Sequence, residues 1–441
     1  MKFKRRKNLK KYLSLIDEAY LKQQPNSLSL AYVSDNYWDE MGINETAFEI
    51  LKRLDGVHTF ETLTDELSQH FNEEETKAAA IISEFIESLE EKALLKSHDE
   101  RQEAPVDIRG SREYFVPDSM VLELTHNCPL RCKHCYANAG IGSSMDIDKL
   151  MPLLEELTAL GTNYFQLTGG EPFAYPYIED VIDFLLAKKI KFSITTSGFY
   201  WNRRMERIID KLVGKKVSIQ VSLDGLAENH NKIRCDERAY DNAIRFIKEI
   251  IARKISTSVA TCLVQQDIEE IEELCGFLRD LGVYQYRLGL ITDMGRAEDN
   301  HISSQINHEE YAHIMKRLKE KYQTKDFYIG RIEEFEDVEC QTNKNCGAGY
   351  RLYNLTPKLT FSPCTIFKLN IGNLNTENLE SIFTRNTRLF SGMTPPSKSV
   401  CGSCELLESC NSCFAEGFSS RHKVERCHWH EDEYKNICAK A

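Results

Sequence analysis

From Val121 to Leu290 the chain alternates short apolar runs with longer amphipathic stretches. The runs at 121–125, 164–168, 190–196, 217–223, 257–264 and 284–290 read as strands. The stretches 146–160, 176–189, 239–253 and 267–281 repeat apolar positions every three to four residues and read as helices. Parallel strands need helix-length crossovers, so six such units predict a parallel sheet with right-handed connections. The runs are nearly continuous in hydrophobicity, which suits strands covered on both faces. The expected fold is α/β, a partial (β/α)6 barrel over residues 116–325 with its chemistry at the C-terminal strand ends.

The flanks have other rhythms. Within residues 1–100, Ser27–Val33 reads as a strand and three helices follow. The first is capped by Asn44 and stopped by Gly56, with Phe48, Leu51 and Leu54 on one face. The others span 59–71 and 73–94. One early strand and three short helices predict a winged-helix-like module, with a polar, proline-broken linker over 101–115. Residues 326–441 are irregular, rich in Cys, Gly, Pro and Asn, with few periodic runs beyond ten residues. Such a segment is expected to lack a large core and to need bound metal for stability.

Composition narrows the function classes. The 441 residues carry 56 basic and 68 acidic side chains, a net charge of −12, so general nucleic-acid affinity is not expected. No apolar run approaches the about 20 residues of a membrane span. Seven of the first eleven residues are Lys or Arg, but neither an apolar core nor a cleavage site follows, so this is a solvated tail and a cytoplasmic location is expected. Fifteen cysteines without an export signal point to metal or redox chemistry rather than disulfides. None precedes Cys128, and nine lie between Cys340 and Cys438.

Cys128, Cys132 and Cys135, at C-x3-C-x2-C spacing before Tyr136, fall in the loop after the first barrel strand. Three thiolates on a four-iron cluster leave one iron free for an exogenous molecule, whereas zinc would need His126 or His134 as a fourth ligand. Gly169-Gly170-Glu171-Pro172 ends the second strand. The glycines allow a tight turn and close backbone approach, and Glu171 and the carbonyls can accept from an ammonium. Thr196-Ser197-Gly198 ends the third strand, Ser222-Leu-Asp224-Gly225 the fourth, with Arg234 shortly beyond, and Leu290-Ile291 the sixth. Cys340, Cys346, Cys364, Cys401, Cys404, Cys410, Cys413 and Cys427 suffice for two four-thiolate sites, either cubane clusters or zinc knuckles. Cys262 and Cys275 read as packed thiols, Cys235 adjoins Arg234, and Cys438 is unassigned.

The cysteine spacing and the GGEP turn resemble the radical S-adenosylmethionine (SAM) superfamily. That resemblance implies a catalytic 4Fe–4S cluster on Cys128, Cys132 and Cys135. It implies a SAM site built from Tyr136, Gly169, Gly170, Glu171, Pro172, Ser222, Asp224, Arg234 and Leu290. There the GGEP turn would hold the amino group, Ser222 the ribose, Arg234 the carboxylate, and Leu290 or Ile291 the adenine. Ser197 departs from the Thr-Asn-Gly often found in the family. The C-terminal cysteines resemble a SPASM domain with two auxiliary 4Fe–4S clusters, the first on Cys340, Cys346, Cys364 and Cys413, the second on Cys401, Cys404, Cys410 and Cys427. The gaps from Cys410 to Cys413 and from Cys413 to Cys427 are shorter than usual, which leaves exchange of ligands, or use of Cys438, open.

Tyr32-Val-Ser-Asp, Asn44 to Leu51 and Leu54-Asp-Gly56 resemble a PqqD-like peptide-recognition element. Together the three parts resemble maturases of sactipeptides of the subtilosin type and of ranthipeptides. The resemblance implies a leader-bearing precursor peptide, an external one-electron donor such as flavodoxin or ferredoxin, and thioether formation through a 5′-deoxyadenosyl radical. Rival readings are a radical SAM enzyme that makes carbon–carbon crosslinks or oxidises a protein Ser or Cys, and a non-enzymatic metal-bound scaffold that binds peptides.

Overall fold

The structure is a computed structural model, and it describes residues 10–292, 294–330, 345–410 and 413–435. The basic run up to Lys7, Cys340 and Cys438 lie outside the described residues. The chain divides into two compact units, one of residues 1–116 with 157–161, the other of 117–156 with 162–441.

The first unit holds more strands than its sequence advertises. It runs β1 (Tyr12–Leu15), β2 (Ala19–Gln24), β3 (Ser27–Ser34), β4 (Tyr37–Ile43), α1 (Glu45–Lys52), β5 (Asp55–Thr59), α2 (Phe60–Phe71), α3 (Glu75–Glu91), β6 (Leu95–His98) and β7 (Ile108–Gly110). These form a sheet of order β5-β1-β6 and another of order β4-β3-β2-β7. Asp35 and Asn36 both take positive φ, 50° and 68°, and so close a tight hairpin between β3 and β4. Asn44 caps α1 as expected, accepting from the Ala47 N–H at 2.8 Å, and α2 and α3 lie close to their expected spans. However, α1 stops at Lys52 with Arg53 as its C-cap, so Leu54 falls outside it and Gly56, expected as its stop, lies in β5. The single expected strand is corrected to a hairpin within a larger set. β2 ends in Lys22-Gln-Gln24 and β4 carries Asp39 and Glu40, polar residues that mask the period of two.

The expected linker is also corrected. Gln102 N–H donates to Gly56 O at 3.0 Å and Ala104 N–H to Asp55 O at 2.7 Å, and β7 pairs in parallel with β2. Residues 101–115 are therefore built into the first unit. Gly56 makes this possible: its φ is +75°, and a Cβ there would lie 1.8 Å from Gln102 O.

The second unit runs β8 (Ser119–Thr125), α4 (Ile147–Leu160), β9 (Tyr164–Gly169), α5 (Ile178–Ala187), β10 (Lys191–Thr196), α6 (Arg203–Lys211), β11 (Val217–Ser222), α7 (Ala227–Arg234), α8 (Ala239–Ala252), β12 (Ser256–Leu263), α9 (Ile268–Leu281), β13 (Gln285–Leu290), α10 (Arg296–Asp299), α11 (His308–Tyr322) and β14 (Tyr328–Ile329). β8 to β13 lie side by side in chain order, every neighbouring pair parallel, as the sequence predicts. After β14 come β15 (Leu352–Leu355), β16 (Thr360–Ser362), β17 (Gly372–Asn373), α12 (Leu379–Phe390), α13 (Lys398–Cys401), α14 (Leu407–Cys410) and α15 (Phe414–Ser420). β15 pairs in parallel with β8, so the Cys-rich region begins as an extension of the barrel sheet.

That region also has more core than expected. α12 buries Leu379, Ile382, Phe383 and Phe390, and Phe383 meets Tyr353 and Phe361 at ring distances of 5.4 and 6.3 Å. Metal is not its sole source of cohesion. Among the described residues no helix is long and apolar enough to cross a membrane.

Gly56→Ala should destabilise the first unit by about 2 kcal/mol or more, because it adds a backbone clash to the cost of a left-handed residue. Urea denaturation followed by far-ultraviolet circular dichroism reads the shift. An unchanged midpoint would mean that the 102–104 segment does not dock on Gly56.

Candidate functional site

At the C-terminal end of β8 the chain leaves regular structure and returns to it at α4. This loop closes on itself through Cys128 N–H to Gly140 O and Gly140 N–H to His126 O, both at 2.8 Å. Cys128, Cys132 and Cys135 gather in one packed cluster with Leu130, Phe199 and Ala239. Burial, with the Glu171 carboxylate and the two neighbouring thiols adding to it, pushes the Cys128 thiol up to about 12. Burial also raises Cys132, against the pull of the Arg234 guanidinium. Cys128 and Cys132, raised in this way, stay protonated unless a metal takes up their charge, which is the behaviour of metal ligands.

Of the two zinc candidates, His126 is engaged through Nε2, whereas His134 keeps a buried Nδ1 without a hydrogen-bond partner. His126 Nε2 is engaged with Glu123 Oε2 at 3.0 Å, and His134 Nε2 lies 3.6 Å from Asp224 Oδ2. His134, Asp224 and Cys262 place one ligand atom each within 4.8 Å of one another. Arg234, 2.7 Å from Asp224 Oδ2, already supplies a cation there.

The glycine turn packs directly on this loop. Gly169 has φ +130°, and its Cβ would lie 2.4 Å from Thr125 O; that of Gly170 would lie 2.4 Å from Asn127 O. Gly170 N–H donates to Thr125 O at 2.5 Å and Glu171 N–H to Asn127 O at 2.8 Å. The Glu171 side chain is buried and engaged within the protein. It accepts from Thr196 Oγ at 2.7 Å, from Ser197 N–H at 3.0 Å and Ser197 Oγ at 2.5 Å, and from Phe173 N–H at 3.3 Å. Burial raises its carboxyl while Ser197 and Thr196 oppose the rise. Pro172 opens the short helical turn that follows. Ser197 thus holds one oxygen of the Glu171 carboxylate, and Thr196 with Phe173 the other.

Asp224 is buried, with Oδ1 accepting from Cys262 N–H at 3.0 Å and Oδ2 paired to Arg234. Burial would raise its carboxyl, but the guanidinium holds it below the usual range. His230 Nδ1 accepts from Asp224 N–H at 2.9 Å, and burial with Arg234 beside it pushes this imidazole down to about 3, so it is neutral. Arg234 also points NH1 at Cys132 Sγ, 3.6 Å away. Three buried nitrogens in this nest, His134 Nδ1, His230 Nε2 and Arg234 Nε, have no hydrogen-bond partner in the protein. Such atoms call for a polar ligand, so the residues fit a bound SAM beside the three thiols. Ser222 ends β11 opposite Ala260, and Leu290 ends β13 opposite Leu263, on the same strand-end edge.

The C-terminal thiols form distinct groups. Cys401, Cys404, Cys410 and Cys427 line one pocket whose wall includes Leu406, Leu407 and Trp429. Burial and the other three thiols push Cys410 up to about 12. Cys413 does not line this pocket; its N–H donates to Cys410 O at 2.8 Å and it caps α15. Burial, with Cys346 adding to it, pushes Cys364 up to about 11. Cys262 and Cys275 are driven up to about 12, burial first, as packed thiols are, and Cys235 is exposed at φ +59°.

One functional group was missed. Glu123 on β8 is 1% exposed and gathers His126 Nε2 at 3.0 Å, Lys368 Nζ at 3.0 Å and Asn354 Nδ2 at 3.1 Å. The Lys368 ammonium also stands 4.7 Å from the centre of the Tyr136 ring. The signal was a lone carboxylate inside the apolar run Met120-Val-Leu-Glu-Leu-Thr125.

Residues 122–278 match the radical SAM superfamily, and residues 30–95 match coenzyme PQQ synthesis protein D (PqqD). The chain is similar to the antilisterial bacteriocin subtilosin biosynthesis protein AlbA of Bacillus subtilis, 24% identical over 92% of this chain and 93% of that one. It is also similar to the sporulation killing factor maturation protein SkfB of the same organism, 22% identical over 63% and 67%. Among solved structures it shares its fold with Streptococcus suis SuiB bound to precursor peptide SuiA, with a TM-score of 0.64 at 14% identity over 94% and 98% of the two chains.

The Glu123 network makes stability depend on pH. Burial would raise the Glu123 carboxyl, but the His126 hydrogen bond and the Lys368 ammonium outweigh it and hold the group below its ordinary value. The stabilisation is therefore present above the unfolded value of about 4.3 and is lost as pH falls through the folded one. Lys368→Met should cost about 1–3 kcal/mol near pH 7, an amount discounted because the lysine is partly exposed. The gap to wild type should close below about pH 4. Urea midpoints across that range test this; a gap independent of pH would assign the loss to packing.

Proposed function

We propose that this chain is a maturase of a ribosomally made peptide, joining a cysteine sulfur of a leader-bearing precursor to a carbon of another residue. The observation that carries the proposal is the convergence of Cys128, Cys132 and Cys135 beside the Gly169-Gly170 turn, in a chain that gathers four more thiols around one C-terminal pocket. Its similarity to a subtilosin biosynthesis protein along nearly the whole length supports the same reading.

A 4Fe–4S cluster with bound SAM would take one electron from the donor and supply a 5′-deoxyadenosyl radical that removes a hydrogen atom from the precursor, and an auxiliary cluster would carry away the surplus electron when the substrate thiolate closes on that carbon. The residues have separable tasks. Cys128, Cys132 and Cys135 hold the cluster. Arg234, whose Nε has no partner in the protein, takes the SAM carboxylate, and Ser222 takes the ribose. The Gly169–Pro172 turn holds the amino end, Tyr136 and Asp224 border the site, and Leu290 covers the adenine. Cys401, Cys404, Cys410 and Cys427 hold one auxiliary cluster of a SPASM domain, and Cys340, Cys346, Cys364 and Cys413 the other. An external donor such as flavodoxin or ferredoxin supplies the electron, and the setting is cytoplasmic.

The first unit would bind the leader by strand addition, since β4 ends its sheet among the described residues. Residues 60–91 carry ten Asp and Glu against one Lys, so the leader it suits is basic.

Anaerobic reconstitution should yield about twelve iron and twelve sulfide per chain. With SAM, a one-electron reductant and a leader-bearing, cysteine-containing precursor peptide, 5′-deoxyadenosine should form. The peptide should lose two hydrogens per crosslink, and the cysteines involved should resist alkylation. The same mass loss with free thiols would favour carbon–carbon coupling, and absence of SAM cleavage would leave only a scaffold. Reversing charge on α3 with Glu84→Lys and Glu87→Lys should weaken leader binding by about tenfold at low salt, read by fluorescence anisotropy. Unchanged affinity would move the leader to another surface.

A further inference from the structure

Past β13 the chain turns back onto the cysteine loop instead of continuing along the sheet. Arg296 N–H donates to Cys135 O at 3.0 Å. Its side chain reaches two more carbonyls, Nε to Cys132 O and NH1 to Ala139 O, each at 2.7 Å. Asn300 Nδ2 donates to Lys133 O at 2.9 Å. Gly295 takes φ +56°, where a Cβ would lie 2.5 Å from Cys135 O and 2.6 Å from Tyr136 O, so no side chain fits there. Two residues, Arg296 and Asn300, thus tie down four carbonyls of the stretch that carries Cys132 and Cys135.

Two guanidinium groups therefore address Cys132 from different elements, Arg234 at its sulfur and Arg296 at its carbonyl. Such a short irregular loop has little regular hydrogen bonding of its own, and ordering it costs about 1–2 kcal/mol of backbone entropy per residue. A fork that bonds two carbonyls at once selects one loop geometry. It also fixes a positive charge against the backbone that carries Cys132, and a cation held close to a cluster favours its electron-rich state.

We propose that Arg296, seated by Gly295 and assisted by Asn300, is a positioning residue for the iron–sulfur site. It presets Cys132 and Cys135 for one cluster and makes that cluster easier to reduce. The inference rests on the reading of Cys128, Cys132 and Cys135 as cluster ligands. It assigns to the segment after β13 a role distinct from covering adenine.

The test uses the full chain, reconstituted anaerobically, as wild type, Arg296→Gln, Arg296→Lys and Asn300→Ala. Iron, sulfide, the midpoint potential of each cluster and the change in electron paramagnetic resonance on adding SAM are measured without any precursor. In Arg296→Gln the cluster that responds to SAM should show a lower potential, or about one third of the iron should be lost, while the auxiliary signals stay. Reductive SAM cleavage should fall by about tenfold or more. Arg296→Lys should recover the potential in part, because it restores charge without the fork. Wild-type iron, potential and SAM response in Arg296→Gln would overturn the proposal. Should that variant fail to fold by circular dichroism, Arg296→Lys and Asn300→Ala decide: a shift confined to the SAM-responsive cluster supports positioning, and unchanged spectra overturn it. A wild-type chain without a SAM-responsive cluster would instead sink the reading beneath it.

Discussion

The site depends on one constraint: a stretch with neither helix nor strand to stiffen it must bring three thiols to a single point. Between Thr125 and Asp146 the backbone closes on itself at its base, His126 to Ser143 and Cys128 to Gly140, and neighbours fix the stretch between. The Gly169-Gly170 turn presses on it so closely that neither glycine has room for a Cβ. The Glu123 carboxylate holds His126 at its entry, and the carbonyls further along are held by Arg296 and Asn300. Each neighbour comes from a different strand end of the same sheet. The parallel arrangement brings all these ends to one edge, so the fold and the thiol geometry are one requirement.

Charge is the second requirement. Thiols raised by burial cannot ionise cheaply, and a lone buried guanidinium would be just as costly. The Asp224–Arg234 pair resolves both, with the guanidinium balanced by a buried carboxylate while its NH1 faces Cys132. His230 stays neutral beside them because burial and the same cation push its pKa down. The three unpartnered nitrogens in this nest are the residue of that arrangement: the protein supplies the charges and leaves some of its polar atoms for a ligand.

The barrel was legible because its signal is local. Apolar runs of strand length and helices of period 3.6 place β8 to β13 within a residue or two, and the cysteine and glycine spacings place two chemical loops. What the sequence hid is what long-range pairing decides. β2 and β4 carry Lys22, Gln24 and Glu40 on paired strands, so alternation fails there, although the Asp35-Asn36 turn was a usable signal. Residues 101–115 look like a linker because their partners, Gly56 and β2, lie far away in sequence. Glu171 looked ready to meet a ligand because nothing in its own segment reveals Thr196 and Ser197, which take its oxygens. Arg296 and Lys368 look like surface cations until the loop carbonyls and Glu123 are brought to them.

The strand β8 explains why the Cys-rich region and the barrel form one unit. Its body pairs with β15 in parallel, Met120 opposite Tyr353 and Leu122 opposite Leu355, and its end launches the thiol loop. Asn354 on β15 and Lys368 beyond β16 both donate to Glu123, two residues before that loop begins. Lys368 lies four residues past Cys364 and also covers the Tyr136 ring, which directly follows Cys135. One buried carboxylate is therefore shared between the segment that carries the C-terminal thiols and the loop that carries the first three. A buried charge deprived of its partners costs more than any single surface contact returns. Displacing the C-terminal segment would strand Glu123 and loosen His126 at the same time. The two groups of thiols are coupled through the fold itself, independently of any metal they hold.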